Sequence, residues 1–217
     1  MALRKIRTTL AVIFLIAITL LFLDFTGTIH AWLGWMAKIQ FLPAILALNA
    51  GVIIGLVALT LVFGRIYCSV ICPLGVMQDI FAWFGKKNKR NRYSYSPAKN
   101  ILRYTMLGVV IVAFLLGIGS IVALFAPYSA YGRIAQNMLS PVWQFGNNLL
   151  ADWAEKHDSY AFYTVDVWVR SGVTLAVAVI TLVVLGVLAW RNGRTYCNTI
   201  CPVGTVLGFL SKYSLFK

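Results

Sequence analysis

All four cysteines of the chain lie in two short stretches, "GRIYCSVICPLG" from Gly64 to Gly75 and "GRTYCNTICPVG" from Gly193 to Gly204, which match at eight of twelve positions. Cys68 and Cys72 form one pair and Cys197 and Cys201 the other, each spaced i, i+4. On a helix that spacing turns both side chains to one face, with Cβ atoms about 5–6 Å apart. Pro73 and Pro202 follow directly, at a place where proline is tolerated as the first residue of a new helix. Three chemistries accept such thiols. A disulfide could close each turn, a Cys₄ zinc site could take both pairs, or four thiolates could hold an iron–sulfur cluster. Spacing and ligand softness admit zinc and iron–sulfur alike. The reducing compartment read below from charge argues against disulfides. Confinement of every cysteine to the repeated turn argues against thiols kept only for packing.

Arg65 and Arg194 precede the first cysteine of each pair by three residues. Snorkelling at a helix end accounts for such arginines; the alternative is that they offset the negative charge of a thiolate-ligated cluster. Tyr67 and Tyr196 read as interface anchors, with rings that shield the cluster as the alternative.

The elements that must position these turns are apolar. Of 217 residues, 60% are hydrophobic and only 12% charged. Uncharged or nearly uncharged runs cover Thr8 to Phe25, Pro43 to Phe63, Tyr104 to Phe125 and Ser171 to Trp190. A helix needs roughly 20 such residues to cross the hydrocarbon core, so four transmembrane helices are expected. The first is read as retained, because no small-residue cleavage pattern follows the basic Arg4-Lys5-Arg7 start. Fifteen of the nineteen basic residues fall before helix 1, between helices 2 and 3, or after helix 4. The positive-inside rule then puts both termini in the cytoplasm. The net charge of +13 follows from this bias and calls for anionic lipid, not nucleic acid. Trp32, Trp35, Trp168, Trp190 and Tyr104 fall at helix ends as membrane anchors.

Each cysteine turn follows an even-numbered helix and precedes an amphipathic segment, Leu74-Met77-Ile80-Phe81-Phe84 in one copy and Val203-Val206-Leu207-Leu210 in the other. The expected architecture is therefore an all-α integral membrane protein of two parallel two-helix repeats. Each repeat ends in a CxxxCP turn and an interfacial helix. Repeat 1 is 1–85, a basic cytoplasmic linker is 86–103, and repeat 2 is 104–217. Parallel repeats relate by an axis along the membrane normal, which would bring the two turns face to face on the cytoplasmic side.

These motifs resemble the paired CxxxCP motifs of the NapH/NosR-type membrane iron–sulfur proteins, a family of quinol dehydrogenase membrane subunits and copper reductase relatives. "PYSAYGR", Pro127 to Arg133, also resembles a family segment. The resemblance implies electron transfer in a bacterial inner membrane, with Cys68, Cys72, Cys197 and Cys201 as metal ligands. It implies a cluster, [4Fe–4S] in preference to [2Fe–2S], and quinone as a candidate substrate. Implied partners are other redox subunits, among them a cytoplasmic ferredoxin-type protein and a periplasmic reductase. Family members usually continue into a ferredoxin domain, whereas this sequence stops at Lys217, thirteen residues past Gly204. That implies a truncated module or receiving clusters on another polypeptide.

The remaining features read plainly. His30 and His157 are loop residues, not haem ligands. Ile134, Met138, Val142, Phe145 and Leu149 recur at helical steps in the long outer loop Ala126 to Arg170, with Pro141 expected to interrupt them on the membrane surface. Asp24 and Asp79 read as solvated acids near helix ends, with proton handling as the alternative. Besides an oxidoreductase component, the same four thiols would suit a copper- or zinc-handling assembly factor, or a scaffold with a zinc clip.

Overall fold

A computed structural model describes residues 2–24, 26–87, 99–156, 163–166 and 171–215. Lys89, Arg90, Arg92, His157, Trp168, Arg170, Lys217 and most of the basic linker lie outside the described residues. Every regular element among those described is helical. Helix α1, Ala2–Leu23, leads through the short α2, Thr28–Leu33, and α3, Trp35–Lys38, to α4, Phe41–Leu46, and α5, Ala50–Phe63. A π-helical turn, Tyr67–Ile71, precedes α6, Pro73–Lys87. The second half has α7, Asn100–Leu115, α8, Gly119–Phe125, and α9, Pro127–Ile134; a π segment, Ala135–Leu139, then joins α10, Ser140–Glu155. After α11, Gly172–Asn192, come α12, Thr195–Thr199, and α13, Pro202–Leu210.

Among the described residues two helices are long and apolar enough to cross a membrane, Lys5–Leu23 of α1 and Gly172–Asn192, which is α11. The other two expected spans are not continuous helices. Pro43 to Phe63 breaks after α4, where Leu48 adopts a positive φ of 52°. Tyr104 to Phe125 breaks after α7, where Gly117 has φ 74°. The two breaks are the same device. Asn49 N–H donates to Ala44 at 2.9 Å and Leu48 N–H to Ile45 at 3.0 Å; Ile118 N–H donates to Ala113 at 2.9 Å and Gly117 N–H to Phe114 at 3.1 Å. That six-to-one and five-to-two pattern around a left-handed residue is a Schellman stop. The 14-residue α5 is about 21 Å long at the helical rise, short of the hydrocarbon thickness.

The outer loop also departs from expectation. Pro141 does not interrupt the helix: α9, the π segment and α10 run without a gap from 127 to 155, and the proline sits in the first turn of α10. The π segment just before it shifts the hydrogen-bond register at the point where proline has no N–H to give. Nor does this stretch begin on the surface, because Ala130, Tyr131, Ile134 and Ala135 are core residues packed with Ile18, Leu56 and Leu185. Apolar residues turn outward from Leu139 onward, among them Val142, Phe145 and Leu149 of α10.

Helix α6 is likewise built into the bundle instead of lying at an interface. Its buried stripe is Leu74, Gln78, Ala82 and Gly85, whereas Ile80 and Phe84 face outward. A Cβ on Gly85 would overlap the Trp190 carbonyl, and Gly186 faces Phe81. These contacts run in register, so α6 and α11 are parallel, with glycines at the points of closest approach as helices in lipid require. Asp24 is no free acid: it accepts from the backbone of Thr26, Gly27 and His30 at 2.8–3.0 Å. His30 is exposed but lies within the short helix α2, not in a loop.

Candidate metal centre

The helices that lead to the cysteines, α5 and α11, each end on a glycine that no other residue replaces without strain. Gly64 has φ 67° and ψ −137°, and Gly193 has φ 72° and ψ −131°. L-residues are excluded from that region by their Cβ. Each glycine folds the chain back, so the turn re-enters the bundle. Tyr67, Cys68 and Cys72 pack in one core with Ile18 of α1, Leu56 of α5 and Leu185 of α11. The turns therefore sit inside the helical bundle.

Inside the turns the two copies agree again. Cys72 N–H donates to Tyr67 and Cys201 N–H to Tyr196, both at 2.9 Å. Cys72 and Cys201 leave the helical region, with φ −78°, ψ 114° and φ −68°, ψ 120°. The simple picture of i and i+4 on one helical face is corrected accordingly. The second thiol of each pair precedes a helix that starts at Pro73 or Pro202, as the prolines indicate. Gly75 and Gly204 then pass so close that a Cβ would overlap the carbonyl of Cys68 or Cys197.

The tyrosines are not interface anchors. Tyr67 is 1% exposed and Tyr196 7%, because each hydroxyl has a partner inside. Tyr67 donates to Gln40 Oε1 at 2.9 Å and accepts from Phe41 N–H at 3.0 Å. Tyr196 donates to the Phe125 carbonyl at 3.0 Å. Each turn is thus tied to one of the broken helix pairs, the first to the start of α4 and the second to the end of α8.

All four thiols are free and buried. They are close enough for charge on one to oppose charge on the others: Cys197 acts on Cys68, Cys72 and Cys201, and Cys201 also feels Cys68 and Cys72. The structure thus brings both pairs to one region. It does not close them into a ligand shell, since no three His, Cys, Asp or Glu among the described residues gather to metal-holding distance. The turns lie outside the two spanning helices, and burial pushes every thiol upward, Cys72 to about 12 with Cys197 adding to the effect. Such thiols ionise only in exchange for metal.

The surroundings suit a negatively charged thiolate site. Gln78 Nε2 donates to Cys197 Sγ at 3.2 Å and Gly204 N–H to Cys201 Sγ at 3.3 Å. The backbone of Leu74 and Gly75 donates to Cys72. The Arg65 and Arg194 guanidinium charges both act on Cys68 and Cys197. Arg194 is also locked to Asp79, with Nε at 2.6 Å from Oδ1 and a second bond to Oδ2. Asp79 is therefore an ion-pair partner, and Arg194 does more than snorkel. Arg65 reaches Asn198 Oδ1 at 2.7 Å. Hydrogen bonds to sulfur and nearby charge are the protein's means of tuning an iron–sulfur site. Gln78 and Asn198 were not legible in advance; the only signal was a polar residue on an apolar helix, and which face it served depended on the packing of α6.

Two segments, 45–92 and 172–217, match the 4Fe-4S binding domain family. Each contains one cysteine turn. The match supports an iron–sulfur cluster as the cofactor of these two segments. The chain is similar to several ferredoxin-type proteins. It is 27% identical over 169 residues to the ferredoxin-type protein NapH of Escherichia coli, covering 78% of this chain and 46% of that one. It is 26% identical over 171 residues to the methylamine utilization ferredoxin-type protein MauN of Paracoccus denitrificans, covering 79% and 47%. MauN of Methylobacillus flagellatus is 23% identical over 154 residues, covering 71% and 41%. The chain spans about half the length of these relatives or less. No solved structure matches it.

Proposed function

We propose that the protein is a membrane-embedded electron-transfer module in which Cys68, Cys72, Cys197 and Cys201 together hold one [4Fe–4S] cluster. The observation that carries this reading is the convergence of four buried thiols from two equivalent turns, ringed by N–H donors and guanidinium groups. When bound, the cluster would supply one-electron transfer. The chain's own residues have separate tasks. Core packing by Ile18, Leu56 and Leu185 excludes water from the turns. Gln78 and Gly204 orient sulfur through N–H bonds, and Arg65 and Arg194 balance thiolate charge.

The wider arrangement belongs to the same proposal. The chain crosses a bacterial inner membrane four times, with α4–α5 and α7–α8 crossing as broken helices and both termini in the cytoplasm. Its two halves relate as parallel repeats. Electrons pass between quinone or a cytoplasmic donor and another redox subunit, a ferredoxin-type protein or a periplasmic reductase. A continuous apolar groove supports quinone: a cavity of about 370 Å³ between the two helix breaks, lined by Leu42, Phe114 and Val122, adjoins one that reaches Pro202 and Val203 beside Cys201.

The test is iron, acid-labile sulfide, zinc and copper on anaerobically purified full-length protein in detergent. Iron and sulfide in equal amounts are expected, with four irons per chain. Cys68→Ser and Cys197→Ser should lose them equally, because one site needs both pairs. Loss confined to one half would mean two independent sites, and zinc or copper without sulfide would refute electron transfer.

A further inference from the structure

The two sides of the four-thiol site carry different charge. On one side Arg194, from the second turn, is held by Asp79 of α6. Asp79 is the only acid in the cysteine-bearing stretches 64–103 and 191–217. At the repeat offset, Arg194 corresponds to Arg65 and Asp79 corresponds to Gly208. The structure keeps this second pairing in place without its acid. A Cβ built on Gly208 would lie 2.9 Å from Arg65 Nη2 and nearer still to the Arg103 guanidinium.

Arg103 comes from α7 and is only 6% exposed. Its Nη2 donates to the Thr205 carbonyl at 2.8 Å and the Gly204 carbonyl at 3.4 Å, and its Nε has no partner. Arg65 spends its donors on Asn198 and on Ser211 Oγ at 3.4 Å. Neither meets a carboxylate among the described residues. Two like charges in a protein interior repel strongly unless an anion offsets them. The thiolate-ligated cluster proposed above supplies one.

Resting on that reading, we infer that Arg103 is a positioning residue for charge. With Arg65 it forms an uncompensated cation pair at Gly208 that raises the reduction potential of the cluster, while Asp79 cancels Arg194 on the opposite side. Adding an electron makes the site more negative, so fixed positive charge nearby favours the reduced form, and does so more strongly away from water.

Three substitutions move that charge in opposite directions. Gly208→Asp restores the missing acid, and the atoms its Cβ meets are ends of flexible side chains that can shift. Arg103→Gln removes one cation, Arg103→Lys keeps it, and Asp79→Asn frees the charge of Arg194. The experiment is an EPR-monitored redox titration of the full chain in detergent, with iron and sulfide measured on each variant. Gly208→Asp and Arg103→Gln should each shift the one-electron equilibrium toward the oxidised form by about tenfold, or 59 mV. Asp79→Asn should shift it the other way, and Arg103→Lys should stay near the parent. If Arg103→Gln fails to fold for want of its bonds to Gly204 and Thr205, the Gly208 and Asp79 variants decide. Midpoints for those two within twofold of the parent, with cluster content unchanged, would overturn the inference and leave the cluster reading standing. Absence of iron and sulfide from the parent would overturn both.

Discussion

Tyr67→Phe and Tyr196→Phe delete the same atom from equivalent positions, yet they should differ in cost. In the first turn the hydroxyl serves two buried groups, donating to Gln40 and accepting from the Phe41 N–H. Gln40 is fully buried, and Phe41 is 5% exposed. That N–H belongs to the first turn of α4, where a helix has no internal acceptor to offer. Tyr67→Phe strands one donor and one acceptor, each worth about 1–3 kcal/mol when left unsatisfied, so a loss of about 2–6 kcal/mol is expected. Tyr196→Phe strands a single acceptor, the Phe125 carbonyl, for about 1 kcal/mol. In a chain of this size 1 kcal/mol moves the midpoint by about 2–4 °C. Thermal unfolding in detergent should thus fall by roughly 4–24 °C for Tyr67→Phe and by no more than about 4 °C for Tyr196→Phe. Equal small effects would mean that both rings face lipid or water as interface anchors, and the account of the turns would be wrong.

Other substitutions probe the backbone. Gly75→Ala and Gly204→Ala press a Cβ onto the carbonyl of Cys68 or Cys197. Backbone cannot yield as a side chain does, so each should destabilise by about 1–3 kcal/mol or more and lower iron content, read by metal analysis. Leu48→Gly should do the reverse. Leu48 holds a positive φ and is 86% exposed, so glycine relieves strain without losing packing. A gain of about 1 kcal/mol is expected in the same thermal assay, and a loss would show that the leucine side chain contributes more than its backbone conformation costs.

The repeated twelve residues were legible because nearly every matched position has a backbone or contact reason. Gly64 and Gly193 supply the positive φ, Tyr67 and Tyr196 the buried hydroxyls, Pro73 and Pro202 the helix starts, and Gly75 and Gly204 the close approach. What these residues do on arrival was not legible. Hydropathy averages over a window, so it cannot register Leu48 or Gly117, each of which stops a helix within an unbroken apolar run. Pro141 looked like an interruption because the π segment before it has no sequence mark. The buried stripe of α6 was not legible for a related reason: Ile80 and Phe84 face outward, whereas Leu74, Gln78, Ala82 and Gly85 are buried.

The same logic explains why a duplicated motif ends up with unequal surroundings. A turn that re-enters the bundle buries two thiols that cannot ionise alone, as the upward displacement of all four makes plain. On the proposed reading, pairing two turns would solve the coordination problem and create a second one, because four thiolates would gather negative charge where all four side chains are buried. Each copy brings one arginine toward that charge, at Arg65 and Arg194. Beyond that point the copies are free to diverge, since the thiols demand only total compensation, not equal shares. Asp79 and Gly208 occupy the position where divergence changes the field without touching a ligand. A duplicated site of this kind can keep its coordination chemistry constant while its potential drifts, and substitutions at residues 79, 103 and 208 should separate those two properties where substitutions at the cysteines cannot.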